Sequence, residues 1–268
     1  MKQLILGAGN MIQALLPSYI TEAKKDGVEF FVYTPSGKSA KAFAQSNDVN
    51  FLSTISEIGS HDFDLVWLAM KPQGFEAAML EFQEQGIDFS SATAVSIMAG
   101  VSVQTLKAIS HAKEVVRIMP NTPSKVNIGV NLIYSSLSKS DLENKFSYFN
   151  TSCENFFLET EQMIDNITPF SGSGPAYFFE FSRVFEEKMV SLGLDSISAK
   201  RISALTMKGA SQMILDDSDS SQELRNKVTS KGGVTFEALK VFKERNIQDI
   251  FDQAIDSALK RNSELKGE

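Results

Sequence analysis

The chain is poor in the residues that build metal centres, disulfides and imidazole catalysis. Among 268 residues there is one cysteine, Cys153, and there are two histidines, His61 and His111. A single cysteine excludes an internal disulfide, and no Cys/His cluster stands at metal-ligand spacing, so a reducing setting without a bound metal is expected. His61 precedes Asp62 and His111 precedes Ala112-Lys113, both in turn-like surroundings, and neither is nominated as a catalytic base. Long apolar runs are also missing. Nothing approaches the roughly 20 residues of a membrane-spanning helix, and the opening Met1-Lys2-Gln3-Leu4-Ile5-Leu6 is too short for the core of a signal peptide. Finally, there is no basic block. A net charge of -7 offers no electrostatic hold on nucleic acid or anionic lipid. These absences leave the expectation of a cytoplasmic protein that handles a small molecule and has neither a nucleic-acid nor a membrane partner.

The composition, 43% hydrophobic and 22% charged, supplies a core large enough for one big domain or two. In the first part, short apolar runs alternate with helical patterns. The strand-like runs are 3–6, 28–33, 49–52, 63–69, 93–98 and 115–119, with 128–134 and 155–158 as later members. Parallel strands need crossovers, which are usually helices, so this alternation predicts an α/β fold with a doubly wound sheet covered on both faces. After Thr160 strand-like runs stop. Phe178, Phe181, Phe185, Met189 and Leu192 step by three or four, as do Ile247, Ile250, Phe251, Ala254, Ile255, Ala258 and Leu259. The division expected is residues 1–160 for the sheet domain and 161–268 for an all-helical domain. Its apolar stripes either close on one another or pack against a second copy, and a homo-oligomer is the expectation.

Gly7-Ala8-Gly9-Asn10-Met11 follows the first strand and opens a helix that ends near Lys25. The first glycine permits the tight turn, the second lets backbone approach a pyrophosphate, and the helix N-terminus favours negative charge. A third glycine at the usual spacing is replaced by Ile12, with Ala14 two further on. At the end of the second strand an NAD site usually places a carboxylate for the ribose 2′-hydroxyl. Here Tyr33-Thr34-Pro35-Ser36-Gly37-Lys38 stands instead. With no carboxylate to repel a 2′-phosphate, and with Thr34, Ser36 and Lys38 to bind one, NADPH is the expected cofactor and NADH the alternative. Ligands of a doubly wound sheet gather at the carboxyl ends of the strands. That places Ala69, Met70, Lys71 and Pro72 after the fourth strand, Ala99 after the fifth and Asn121 after the sixth among the cofactor contacts.

The run Thr229-Ser230-Lys231-Gly232-Gly233-Val234-Thr235 leads from one helical pattern into another that begins at Thr235. It reads either as an ordinary glycine turn or as a loop whose backbone N–H groups converge on an anion. The blocks Gly7–Met11, Met70-Lys71-Pro72, Ser96–Gly100, Arg117–Pro123, Ser171-Gly172-Ser173-Gly174-Pro175-Ala176-Tyr177 and this glycine pair, in this order, resemble the pyrroline-5-carboxylate reductase family over nearly the whole chain. Lys231 departs from that family's usual proline, Val234 from its small residue or threonine, and Leu15-Leu16-Pro17-Ser18 from its glycine-containing turn. The resemblance implies an N-terminal Rossmann domain and a helical domain that dimerises by interlocking, with rings of dimers as a larger form. It implies NADPH-dependent reduction of a five-membered cyclic imine acid. On this reading backbone N–H groups around Ser230, Gly232, Gly233 and Val234 hold the substrate carboxylate, and the Thr235 hydroxyl serves the ring nitrogen as the catalytic residue. Thr235 alternatively serves only as a helix N-cap.

Reduction of a carbonyl commonly needs a general acid for the developing alkoxide. A cyclic imine arrives protonated at nitrogen, so hydride addition discharges an existing cation, in keeping with a chain so poor in histidine. Two rivals remain: a β-hydroxyacid dehydrogenase using Lys208 as the acid, and a non-catalytic NADP-binding sensor. The glycine-pair loop speaks against both.

Overall fold

The computed structural model describes residues 1–266. Among the described residues eight strands form one sheet: β1 (Lys2–Leu6), β2 (Glu29–Tyr33), β3 (Asn50–Phe51), β4 (Leu65–Leu68), β5 (Thr93–Ser96), β6 (Glu114–Pro120), β7 (Gly129–Ser135) and β8 (Cys153–Phe157), in the order β3-β2-β1-β4-β5-β6-β7-β8. All eight fall on runs expected from the sequence, with β3 cut to its central residues. The crossovers carry α1 (Asn10–Lys25), α2 (Lys38–Asn47), α3 (Ile55–Ile58), α4 (Phe75–Glu84), α5 (Val103–Ser110) and α6 (Lys139–Lys145). Side chains alternate between the faces. In β2, Phe30 and Val32 join the core beneath α1 and α2, while Phe31 and Tyr33 join the one shared with α4 and α5.

The sheet departs from fully parallel at one place. β7 runs antiparallel to β6, and β8 is parallel to β7. Between β6 and β7 lies only a tight connection with a 3-10 turn at Thr122–Val126. A parallel return needs a crossover of a dozen or more residues, so this link turns the chain back on itself.

Helices follow from α7 (Glu161–Ser171) through α8 (Gly174–Ser191), α9 (Ser196–Asp216), α10 (Ser221–Lys227), α11 (Val234–Glu244) and α12 (Ile247–Lys266). α8 begins where Gly174-Pro175 puts proline in a first turn that needs no N–H from it. By packing, the chain forms two compact units: Met1–Pro175 with the segment from Leu259 onward, and Ala176–Ala258. In the second unit only Ala199, Ser203 and Leu224 are buried. Phe181 of α8 stacks on Phe251 of α12 with ring centroids 5.8 Å apart, yet Phe178, Phe185 and Leu192 of the predicted stripe remain largely exposed. Helices with so little apolar surface withdrawn from water do not form a stable body alone, and they present an association surface. Among the described residues no helix is long and apolar enough to cross a membrane.

Candidate active site

The β1–α1 turn gives its two glycines different reasons to exist. Gly7 has φ +114°, and a methyl group there would stand 2.5 Å from the Ala69 carbonyl oxygen and 3.0 Å from the Met70 nitrogen. The ends of β1 and β4 therefore meet over a position that only glycine fills. Gly9 has ordinary extended angles (φ −75°, ψ 178°), and a methyl there would meet nothing within 4 Å. The fold does not require glycine at that point, and the space is left open above the N-terminus of α1. The N–H groups of Asn10 and Met11, in the first turn, have no intrahelical acceptor and carry the positive end of the helix dipole. Ile12, in place of a third glycine, is wholly buried, so α1 is seated by a large side chain.

Across the turn, Thr34 directly follows β2. It is 8% exposed, and its Oγ1 has no hydrogen-bond partner. A buried, unpaired hydroxyl costs free energy that an incoming acceptor would recover. Its carbonyl accepts the Gly37 N–H at 2.9 Å, which places the exposed Ser36 and Lys38 and the start of α2 around it. Beside them is a cavity of about 200 Å³ lined by Gly7, Tyr33, Pro35, Met70, Glu81 and Phe82. Burial, with the Glu81 charge second, pushes the Tyr33 phenol above its usual pKa.

The remaining predicted contacts lie at the carboxyl ends of β4, β5 and β6. Ala69 and Met70 are half-buried, while Lys71 and Pro72 are exposed at a 3-10 turn over Pro72–Gly74. Ala99 is exposed in the loop before α5. Asn121 is tied into the protein. It is 6% exposed, its Oδ1 accepts the Val130 N–H at 2.9 Å, and its Nδ2 donates to the Ser171 carbonyl at 3.2 Å. Both ends of the amide are engaged within the protein.

Sequence reading missed a buried charge in the strand that leads to that residue. Arg117, buried in β6, bonds Glu161 Oε1 at 2.5 Å and Asp165 Oδ1 at 3.1 Å, and Glu161 Oε1 also accepts the Val103 N–H at 2.8 Å. The available signal was an arginine inside an otherwise apolar strand, followed by two acids four residues apart on a helix. Of the two histidines, His61 lies against the Phe31 ring (4.5 Å) and His111 ends α5 in a left-handed conformation.

In the second unit Gly232 adopts φ +72°, and a methyl on Gly233 would meet Ser230 Oγ at 2.5 Å. The left-handed angle calls for glycine at 232, while a side chain at 233 would first have to turn the Ser230 hydroxyl aside. α11 begins at Val234 with Gly233 as its N-cap, which corrects the expected start at Thr235 and removes Thr235 from the capping position. The Gly233 N–H donates to the Ser230 carbonyl at 3.0 Å and closes the turn. The first-turn donors left without an intrahelical acceptor are those of Val234, Thr235 and Phe236. Ser230 and Thr235 are exposed, as is the Val234 side chain at 92%. Lys208 stands exposed on α9.

Comparison with known proteins bears on this arrangement. Residues 161–265 match the family described as pyrroline-5-carboxylate reductase dimerisation, which agrees with the uncovered apolar helices and assigns them to oligomer formation. The pyrroline-5-carboxylate reductase of Pseudomonas aeruginosa is 30% identical over 268 residues, covering 97% of this chain and 95% of that protein. That of Vibrio alginolyticus is 29% identical over 267 residues, covering 97% and 96%. Among solved structures, a pyrroline-5-carboxylate reductase from Coxiella burnetii superposes with a TM-score of 0.85 at 27% identity, covering 98% of this chain and 97% of the other. A Plasmodium falciparum pyrroline carboxylate reductase with NADP bound has the same fold, with a TM-score of 0.83 at 24% identity over 99% and 98%. End-to-end similarity at this level, on a fold with glycines forced at both expected binding turns, has one reading: the chain belongs to the pyrroline-5-carboxylate reductase family.

Proposed function

We propose that this chain reduces 1-pyrroline-5-carboxylate to L-proline with NADPH, the last step of proline synthesis. The observation that carries the reading is the start of α11, where the glycine turn leaves the N–H groups of Val234, Thr235 and Phe236 open to one anion. A carboxylate is held there by backbone donors and the helix dipole without a dedicated arginine. The Thr235 hydroxyl, exposed one residue into the helix, is the group proposed to hydrogen-bond the ring nitrogen.

The first unit supports a phosphorylated dinucleotide. The open space over Gly9 and the first-turn donors of α1 suit a pyrophosphate. The 200 Å³ cavity suits the base, and the unpaired Thr34 hydroxyl with Ser36 and Lys38 suits a 2′-phosphate. Bound NADPH supplies the hydride, and the protein supplies orientation, worth several kcal/mol in such reactions. Because the imine is protonated before reduction, the chain needs no strong general acid. Thr235 has only to accept the N–H of the iminium and keep the ring in place.

The match beginning at Glu161 supports residues 1–160 as the cofactor domain and 161–268 as the substrate and dimerisation domain, while α7 packs with the sheet. The association surface supports a homodimer, with rings of dimers as the larger form. Spectrophotometric oxidation of NADPH with 1-pyrroline-5-carboxylate tests the activity, and a 3-hydroxy acid run in reverse tests the dehydrogenase alternative. Turnover with the first only is expected. Turnover with the second only would overturn the proposal. NADPH binding without turnover of either would leave a sensor.

A further inference from the structure

Asn121 is followed at once by a 3-10 turn, and asparagine is among the best residues for capping such a start. Its side chain does not cap it. The amide reaches Val130 at the start of β7 and the last residue of α7, Ser171, while Ser124 Oγ bonds the Asn121 carbonyl at 2.8 Å. At the other end of α7, Glu161 takes the Val103 N–H of α5 and the Arg117 guanidinium of β6 on one oxygen. α5 follows the loop that carries Ala99. The helix α7 is therefore fastened at its first residue to the start of α5 and to β6, and at its last to Asn121 just after β6.

These segments belong to the second half of the doubly wound sheet. A dinucleotide spans the switch point of such a sheet, one nucleotide over each half. Thr34, Ser36 and Lys38, proposed for the 2′-phosphate of the adenosine half, stand just after β2, and the cavity beside them is lined from both β2 and β4–α4, so the reacting nucleotide lies over β5 and β6. We infer that Asn121 is a positioning residue. It ties Val130 and Ser171 to one amide and so fixes where the Pro120–Pro123 loop stands beside the reacting ring, while making no cofactor contact itself. This inference rests on the proposed reductase activity.

The test uses the full-length enzyme and N121A. Wild-type turnover of NADPH with 1-pyrroline-5-carboxylate is measured first, and its absence would count against the proposed activity and not against Asn121. Given that turnover, N121A is expected to bind NADPH, by equilibrium titration, within about twofold of wild type, because the adenosine half is untouched. Its kcat is expected to fall by roughly 10- to 100-fold, the scale of a loop displaced by up to about 1 Å. The isotope effect on kcat with 4-deuterated NADPH should rise, because hydride transfer becomes limiting. If N121A is insoluble, N121S serves, since its short hydroxyl cannot reach both partners. A Kd raised more than about tenfold with kcat unchanged would make Asn121 a cofactor contact. A lowered Tm with kcat and isotope effect unchanged would make it a structural brace only. Either result would overturn the inference.

Discussion

Replacing each glycine of the first turn with alanine separates what the fold needs from what the ligand needs. At Gly7 the new methyl would lie 2.5 Å from the Ala69 carbonyl oxygen and 2.7 Å from its carbon, both backbone atoms that cannot swing aside, at φ +114°. Forcing a non-glycine residue into such a region costs about 1–3 kcal/mol before any steric shift. With displacement of β4 added, a loss of about 2–4 kcal/mol follows, which lowers Tm by roughly 5–15 °C for a unit of this size. At Gly9 the angles are ordinary and nothing lies within 4 Å. The small gain from stiffening the unfolded chain and the small loss of a glycine cap roughly cancel, leaving Tm within about 2 °C. The methyl would nevertheless occupy the path of the pyrophosphate. G9A is expected to bind NADPH at least 100-fold more weakly, about 2.7 kcal/mol, as read by titration calorimetry alongside thermal melts. A G9A protein that binds NADPH like wild type would refute the assignment of that space, and a G7A protein as stable as wild type would refute the steric argument.

Three further outcomes are expected. Thr34→Val removes an unpaired buried hydroxyl, so stability should hold or rise by about 1 kcal/mol, while affinity for NADPH falls about tenfold and that for NADH stays unchanged in parallel titrations; equal losses for both would place the phosphate elsewhere. Glu161→Ala strips Arg117 of one carboxylate and leaves the Val103 N–H unpaired, which should cost about 3–5 kcal/mol in denaturant melts; a loss under about 1 kcal/mol would mean that Asp165 alone satisfies the guanidinium. Ser198 holds the Asp195 carboxyl below its usual pKa, and Ser220 does the same for Glu223. Depressed folded-state values contribute stability that is full above the unfolded pKa and lost as pH falls through the folded one. The melting deficit of D195A and E223A should therefore be constant at neutral pH and shrink in acid below about pH 4, and a deficit independent of pH would remove the electrostatic part of these caps.

What the sequence by itself determined were features written in local pattern. The eight strand runs, the turn at Gly7–Met11, the change to helical periodicity after Thr160 and the glycine pair at 232–233 were all legible, because strand alternation, helix period and glycine conformation act over a few neighbouring residues. Tertiary structure decided what depends on residues far apart. It reversed β7 at a turn too short for a crossover, and it spent the Asn121 amide on Val130 and Ser171. It also joined Arg117 to two acids on α7, and it spent the Gly233 N–H of the glycine loop on the Ser230 carbonyl. A side chain's hydrogen-bond partner is fixed by which segments the fold brings within about 3 Å, and no spacing along the chain encodes that.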